Sequence, residues 1–151
     1  MRVQISRSCH RAILRHAQEV YPHECCGLLL GSHSDGVKTI TRIRTIPNEH
    51  AEDQTHRYLI APQQMLQVER EARQAHMAIL GIYHSHPDHP AQPSVYDLEW
   101  AWPWYSYMIV SVFKGEAERV TCWTLSDDRT RFLEEPLTLS ASGDEACPQA
   151  S

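Results

Sequence analysis

The sequence predicts an α/β domain in which helices flank a mixed β-sheet. Two segments carry apolar residues at helical spacing, short β-branched runs bounded by turn residues lie around them, and 151 residues suit one domain. A chain of 17.4 kDa can bury roughly two thirds of its extended surface and hold a core without staples.

Ser8 to Val20 places Cys9, Ile13, Ala17 and Val20 on one stripe and is stopped by Pro22, so it reads as the first helix. Gly27 to Leu30 and Val37 to Ile46 read as strands, with Gly31 to Gly36 supplying the turn. On the second strand Arg42 and Arg44 alternate with Ile40, Ile43 and Ile46, which reads as a solvated face. Asn48 to Arg57 is polar and reads as a loop near the site. Pro62 opens a second helix with Met65, Val68, Ala72 and Ala75 as its core stripe and Glu69 and Arg73 paired outside.

Ala78 to Tyr83 is the next strand, followed by a polar loop, a short helix from about Ser94 to Trp102, and a strand from Tyr105 to Phe113. Gly115 marks a hairpin turn before the strand Arg119 to Leu125, and Phe132 to Leu139 closes the domain. Residues 1–139 are thus expected to form the domain and residues 140–151, small and polar, a mobile tail. Trp100 and Trp102 read as core residues under the polar loop.

The segment His84 to Asp97 has the composition of a metal site. His84 and His86 are two apart, so at a strand end both rings leave the same face. Asp97 can complete a set of two imidazoles and one carboxylate, which suits one Zn²⁺ and leaves a tetrahedral position open for water. Ser94 lies on the same side of a helical turn as Asp97, and the pair also reads as a plain N-cap with its N3 partner. Hydrolysis needs a general base as well. Glu24, at the entrance to the run Gly27 to Leu30, is a better candidate than Glu19 on the first helix or Glu49 and Glu52 in the loop. Asp88 and His89 read as further metal contacts, lip residues or plain surface.

His84, Ser85, His86 and Pro87 are followed by six residues, then Ser94, two more, and Asp97, while Glu24, Cys25, Cys26 and Gly27 stand upstream. This pattern resembles that of the JAMM (MPN+) zinc metallopeptidases over nearly the whole chain. The resemblance implies a cytidine-deaminase-like JAMM/MPN fold, His84, His86 and Asp97 as zinc ligands, Glu24 as catalytic base and Ser94 as oxyanion donor. The chain is similar to the compact prokaryotic branch. That implies a substrate tail threaded as an extended strand, with cleavage after the C-terminal Gly-Gly of a ubiquitin-like sulfur carrier protein to release cysteine or a short extension. The alternative it implies is an isopeptidase freeing ubiquitin-like modifiers from lysine, and more remotely a non-catalytic scaffold. A zinc deaminase is excluded by the missing His/Cys/Cys set. Where similar family members carry glycine before Tyr-Ser-Tyr, this chain has Trp104, a departure that implies an exposed aromatic near a partner or homodimer surface.

A net charge of −5 with dispersed basic residues disfavours nucleic acid as a partner. The start lacks a continuous apolar signal core and no run approaches a membrane span, so secretion and membrane insertion are not expected. Five cysteines without a CxxC read as free thiols in a cytoplasmic protein, with Cys26 packed behind the site.

Overall fold

The computed structural model describes residues 1–140. The elements run β1 (Arg2–Ser6), α1 (Arg7–Val20), β2 (Cys26–Ser34), β3 (Val37–Ile46), α2 (Pro62–Gln74), β4 (Ala78–Pro87), α3 (Val95–Glu99), β5 (Ser106–Phe113), β6 (Glu116–Leu125), β7 (Phe132–Glu134) and β8 (Leu137–Ser140). All eight strands form one sheet, ordered β7-β6-β5-β4-β2-β3-β1-β8. The β4–β5, β1–β3 and β1–β8 pairs are parallel and the others antiparallel, so the sheet is mixed. The consecutive strands β7 and β8 lie at opposite edges. A single short segment therefore reaches both, which requires the sheet to curl upon itself.

The α1 face of the sheet holds Val3, Ile5, Ile13, Leu29, Ile43, Leu80 and Tyr83, and the α2 face holds Leu28, Leu30, Val68, Ala72, Ile82 and Tyr107. Alternation along each strand sends neighbours to opposite faces. Ser6 caps α1 by accepting from the Cys9 amide at 3.2 Å. In α2, Pro62 occupies the first turn, where its missing amide hydrogen costs nothing.

The structure departs from the expected elements in ways that tertiary pairing explains. β1 is five residues whose apolar signal is Val3 and Ile5 alone, and it is held between β3 and β8. β2 continues past Leu30 to Ser34 because β3 extends alongside it, leaving the turn to Asp35 and Gly36, at φ 52° and 76°. Arg44 is not on a solvated face: α2 covers it and Glu71 pairs with its guanidinium. The proposed tail lies outside the described residues, apart from Ser140, which ends β8.

Trp100 and Trp102 are not core residues, being 73% and 63% exposed. α3 stops at Glu99, and Ala101 packs inward while the Trp102 amide donates to the Tyr107 hydroxyl at 2.6 Å. With Ala101 turned in, its neighbours on both sides turn out. Trp104 is at φ 74°, and its ring packs against the ammonium of Lys38, 4.2 Å from the centroid, and edge-on against His33.

Candidate metal centre

The site is assembled where β2 and β4 meet α3. Cys26 pairs with His84, and around the neighbouring Ser85 the two strands are stitched twice: Ser85 Oγ accepts from the Cys25 amide at 2.8 Å and the Ser85 amide donates to the Cys25 carbonyl at 3.2 Å. Glu24 stands two places before Cys26, the first residue of β2, so alternation carries it to the same side of the strand as Cys26. Glu24, His84 and His86 consequently share the face on which α2 packs.

Asp97 arrives from α3, five residues long and fixed by a capping box. Ser94 Oγ accepts from the Asp97 amide at 3.1 Å, and Asp97 Oδ2 accepts from the Ser94 amide at 2.8 Å. The same carboxylate meets both imidazoles. His84 Nε2 lies 3.1 Å from Asp97 Oδ1, His86 Nε2 lies 3.1 Å from Asp97 Oδ2, and the two Nε2 atoms are 3.1 Å apart. Ligands about 2.0–2.1 Å from a shared tetrahedral Zn²⁺ stand about 3.3 Å from one another, so the contacts among these four atoms, two of them oxygens of the one carboxylate, are close to the coordination edges of such an ion.

Hydrogen positions strengthen the fit. The Pro90 carbonyl, 2.9 Å from His86 Nδ1, can only accept, so that nitrogen carries the proton. In a neutral imidazole the Nε2 lone pair then faces a carboxylate oxygen and a second imidazole. A cation turns that mutual repulsion into attraction. His84 is fully buried with its Nδ1 unpartnered, and Glu24, 3% exposed, has an unpartnered Oε1. Polar atoms are seldom left so inside a protein unless a site requires them. The donor set therefore suits a divalent ion.

Burial opposes ionisation of Asp97, but the attraction and hydrogen bonds of His84 and His86 outweigh it and hold the carboxyl well below its usual range. Burial also lowers His84, against the pull of Asp97, which favours the neutral imidazole a metal needs. Glu24 is pushed up to about 9 by burial, with Asp97 and then Asp53 adding repulsion. Its proximity to Asp97 makes it part of the same electrostatic site, where a dication would reverse the sign of that field.

The structure brings His84, His86 and Asp97 together, and Glu24 is near enough for the charge of Asp97 to raise its pKa. Ser94 is the N-cap of α3, and its hydroxyl hydrogen remains available as a donor. Cys26 is buried, its thiol directed to the Ile46 carbonyl at 3.5 Å. Cys9 is disulfide-bonded and so is not a free thiol, whereas Cys25, Cys26 and Cys122 are free. Asp88 is occupied structurally, accepting from the Tyr21 hydroxyl at 2.7 Å and the Lys114 amide at 2.9 Å.

Two residues of the loop between β3 and α2 belong to the site without having been singled out in the sequence. Tyr58 stacks on the His84 ring, with centroids 4.6 Å apart and planes at 26°. Asn48 bonds to the Glu24 backbone. A lone aromatic or amide in a polar loop carries no periodicity, so only the folded contacts reveal them.

The family profile described as prokaryotic homologs of the JAB domain matches residues 6–126. A desampylase of Haloferax volcanii is 34% identical over 115 residues, covering 73% of this chain and 81% of that protein. A desampylase of Pyrococcus furiosus is 33% identical over 104 residues, covering 69% and 68%. Among solved structures, a protein from Desulfitobacterium hafniense superposes with a TM-score of 0.82 at 25% identity, covering 94% of this chain and 95% of that one. One from Salinibacter ruber gives 0.72 at 32% identity, covering 99% and 100%.

Proposed function

The chain belongs to the family of prokaryotic JAB-domain proteins, and from that premise we propose that it is a metal-dependent isopeptidase that frees ubiquitin-like modifiers from lysine. The observation that carries this reading is the convergence of His84, His86 and Asp97 beside the buried, unpartnered carboxyl of Glu24. The similarity to two desampylases directs the substrate toward ubiquitin-like modifiers. It favours the lysine-linked bond over the sequence-based expectation of a sulfur carrier cut behind Gly-Gly, which uses the same side chains.

His84, His86 and Asp97 would hold the ion, which when bound would supply Lewis acidity at the scissile carbonyl and acidify an attacking water. Glu24 takes the proton of that water and passes it to the departing lysine amine, a transfer that requires its carboxyl near the ligands. Ser94 donates its hydroxyl hydrogen to the oxygen on which charge develops, a contribution of about 3 kcal/mol for one well-placed donor. The side chains of Glu24, His84, His86 and Asp97 are all buried, so a substrate must reach them with little bulk around the scissile bond. An extended tail of small residues, such as the end of a ubiquitin-like protein, meets that requirement best. No described helix is long and apolar enough to cross a membrane.

Mass analysis of products tests the reading. Zinc-loaded protein is mixed with a ubiquitin-like protein linked to a lysine side chain and, in parallel, with a carrier extended after Gly-Gly. Release of the intact modifier from lysine is expected. Cleavage of the extended carrier alone would restore the sulfur-carrier reading, and cleavage of neither would remove peptidase function.

A further inference from the structure

The structure assigns a positioning role to Asn48: its side-chain amide clamps the loop between β3 and α2 so that Glu24 and the partner of His84 are held in register. The inference rests on the proposed role of Glu24 as base.

All four hydrogen-bonding capacities of a side-chain amide can be counted, two donors on Nδ2 and two lone pairs on Oδ1. Asn48 uses all four. Nδ2 donates to the Glu24 carbonyl at 3.1 Å and to the Arg57 carbonyl at 2.9 Å. Oδ1 accepts from the His50 amide at 3.0 Å and from the Leu59 amide at 3.1 Å.

The partners matter more than their number. Arg57 and Leu59 flank Tyr58, whose ring stacks on His84, so the clamp grips the chain on both sides of that stacking residue. The bond to the Glu24 carbonyl fixes the residue that carries the base just where β2 begins. A second tie runs through Gln54: the Glu24 amide donates to the Gln54 carbonyl, and the Gln54 side-chain Nε2 donates back to the Asn48 and His50 carbonyls at 3.0 Å each. The loop thus touches Glu24 from both sides of its backbone, and Asn48 is where those ties meet.

No hydrogen bond of the clamp reaches the ligand nitrogens or the Asp97 oxygens, and Tyr58 meets a ligand only by stacking on the His84 ring. β4 and α3 hold the three ligands through the sheet and the capping box. Loosening the clamp therefore leaves the ligands in place while Glu24 and Tyr58 gain freedom. Small displacements of a reacting group cost much of the advantage of orientation, on the order of 10- to 100-fold in rate.

The test compares Asn48→Ala and Asn48→Asp with Glu24→Gln and the parent, reading zinc affinity, kcat and KM separately, and amide hydrogen exchange. Asn48→Asp keeps the two acceptor bonds but turns an oxygen toward the Glu24 and Arg57 carbonyls, so it isolates the donor half of the clamp. Expected are a loss of about 10- to 100-fold in kcat for both Asn48 variants, KM and zinc affinity within about threefold of the parent, and faster exchange at Glu24 and Leu59 with β4 unchanged. Unchanged kcat overturns the inference while leaving an inactive Glu24→Gln to support the base. Loss of zinc in parallel with activity also overturns it, because Asn48 would then serve the ligands. If Glu24→Gln turns over at the parent rate, the reading of the base fails and the inference falls with it.

Discussion

His16 shows how one side chain ties stability to pH away from the metal ligands. Its Nδ1 lies 2.8 Å from the Tyr83 hydroxyl, and burial lowers its pKa below 6.5 against the raising effect of Glu19. The neutral form is thus favoured in the folded state, so the unfolded chain binds more protons in the window below 6.5. Stability from this residue is complete above pH 6.5 and is lost as pH falls through the folded-state value, with a slope of at most about 1.4 kcal/mol per pH unit. His10, also lowered by burial, adds to the same limb. Urea titrations of parent and His16→Gln between pH 7 and 5 should show a flatter pH dependence in the variant. Equal slopes would assign that limb elsewhere.

Among the elements, β2 and β4 carry the site, and Gly27 sets how closely they fit around it. A Cβ at this position would fall 2.3 Å from the Tyr83 ring, which is fully buried against the α1 face. Gly27→Ala must push that ring or the strand aside, at a cost of about 1–3 kcal/mol. A lowered urea midpoint with unchanged slope is the expected result, and an unchanged midpoint would show that Tyr83 yields without cost. α1, α2 and the two histidine positions were legible in the sequence because periodicity and spacing are local signals. α3 was foreseen as too long, since nothing local distinguishes Glu99 as its last residue from Trp102. The outward turn of Trp100 and Trp102 accompanies the packing of Ala101 against the cluster on the α2 face, which is built from segments distant in the chain.

For the molecule as a whole, a buried polar network joins distant parts of the curled sheet. The Lys38 ammonium donates to the Trp104 carbonyl and to Ser106 Oγ at 2.8 Å, and Ser106 donates to Glu135 Oε1 at 2.8 Å. These residues come from β3, β5 and the link between β7 and β8, so the network pins the closing segment to the middle of the sheet. Lys38→Ala leaves Glu135 buried without its cationic counterpart and should cost about 3 kcal/mol. Thermal unfolding gives the check, and a loss under about 0.5 kcal/mol would mark the network as incidental. None of this was visible beforehand, because a lysine within an alternating strand reads as surface. The metal site was visible because its ligands lie in one short segment, while Asn48 and Tyr58 reach it only through folding.

The most direct measurement is zinc content and turnover determined on the same preparation of the Glu24→Gln variant, alongside the parent. One ion per chain in both proteins, with cleavage by the parent alone, is the outcome that a base beside an independent His84, His86 and Asp97 ligand set requires. Cleavage by the variant at the parent rate, or loss of its ion, would contradict that arrangement.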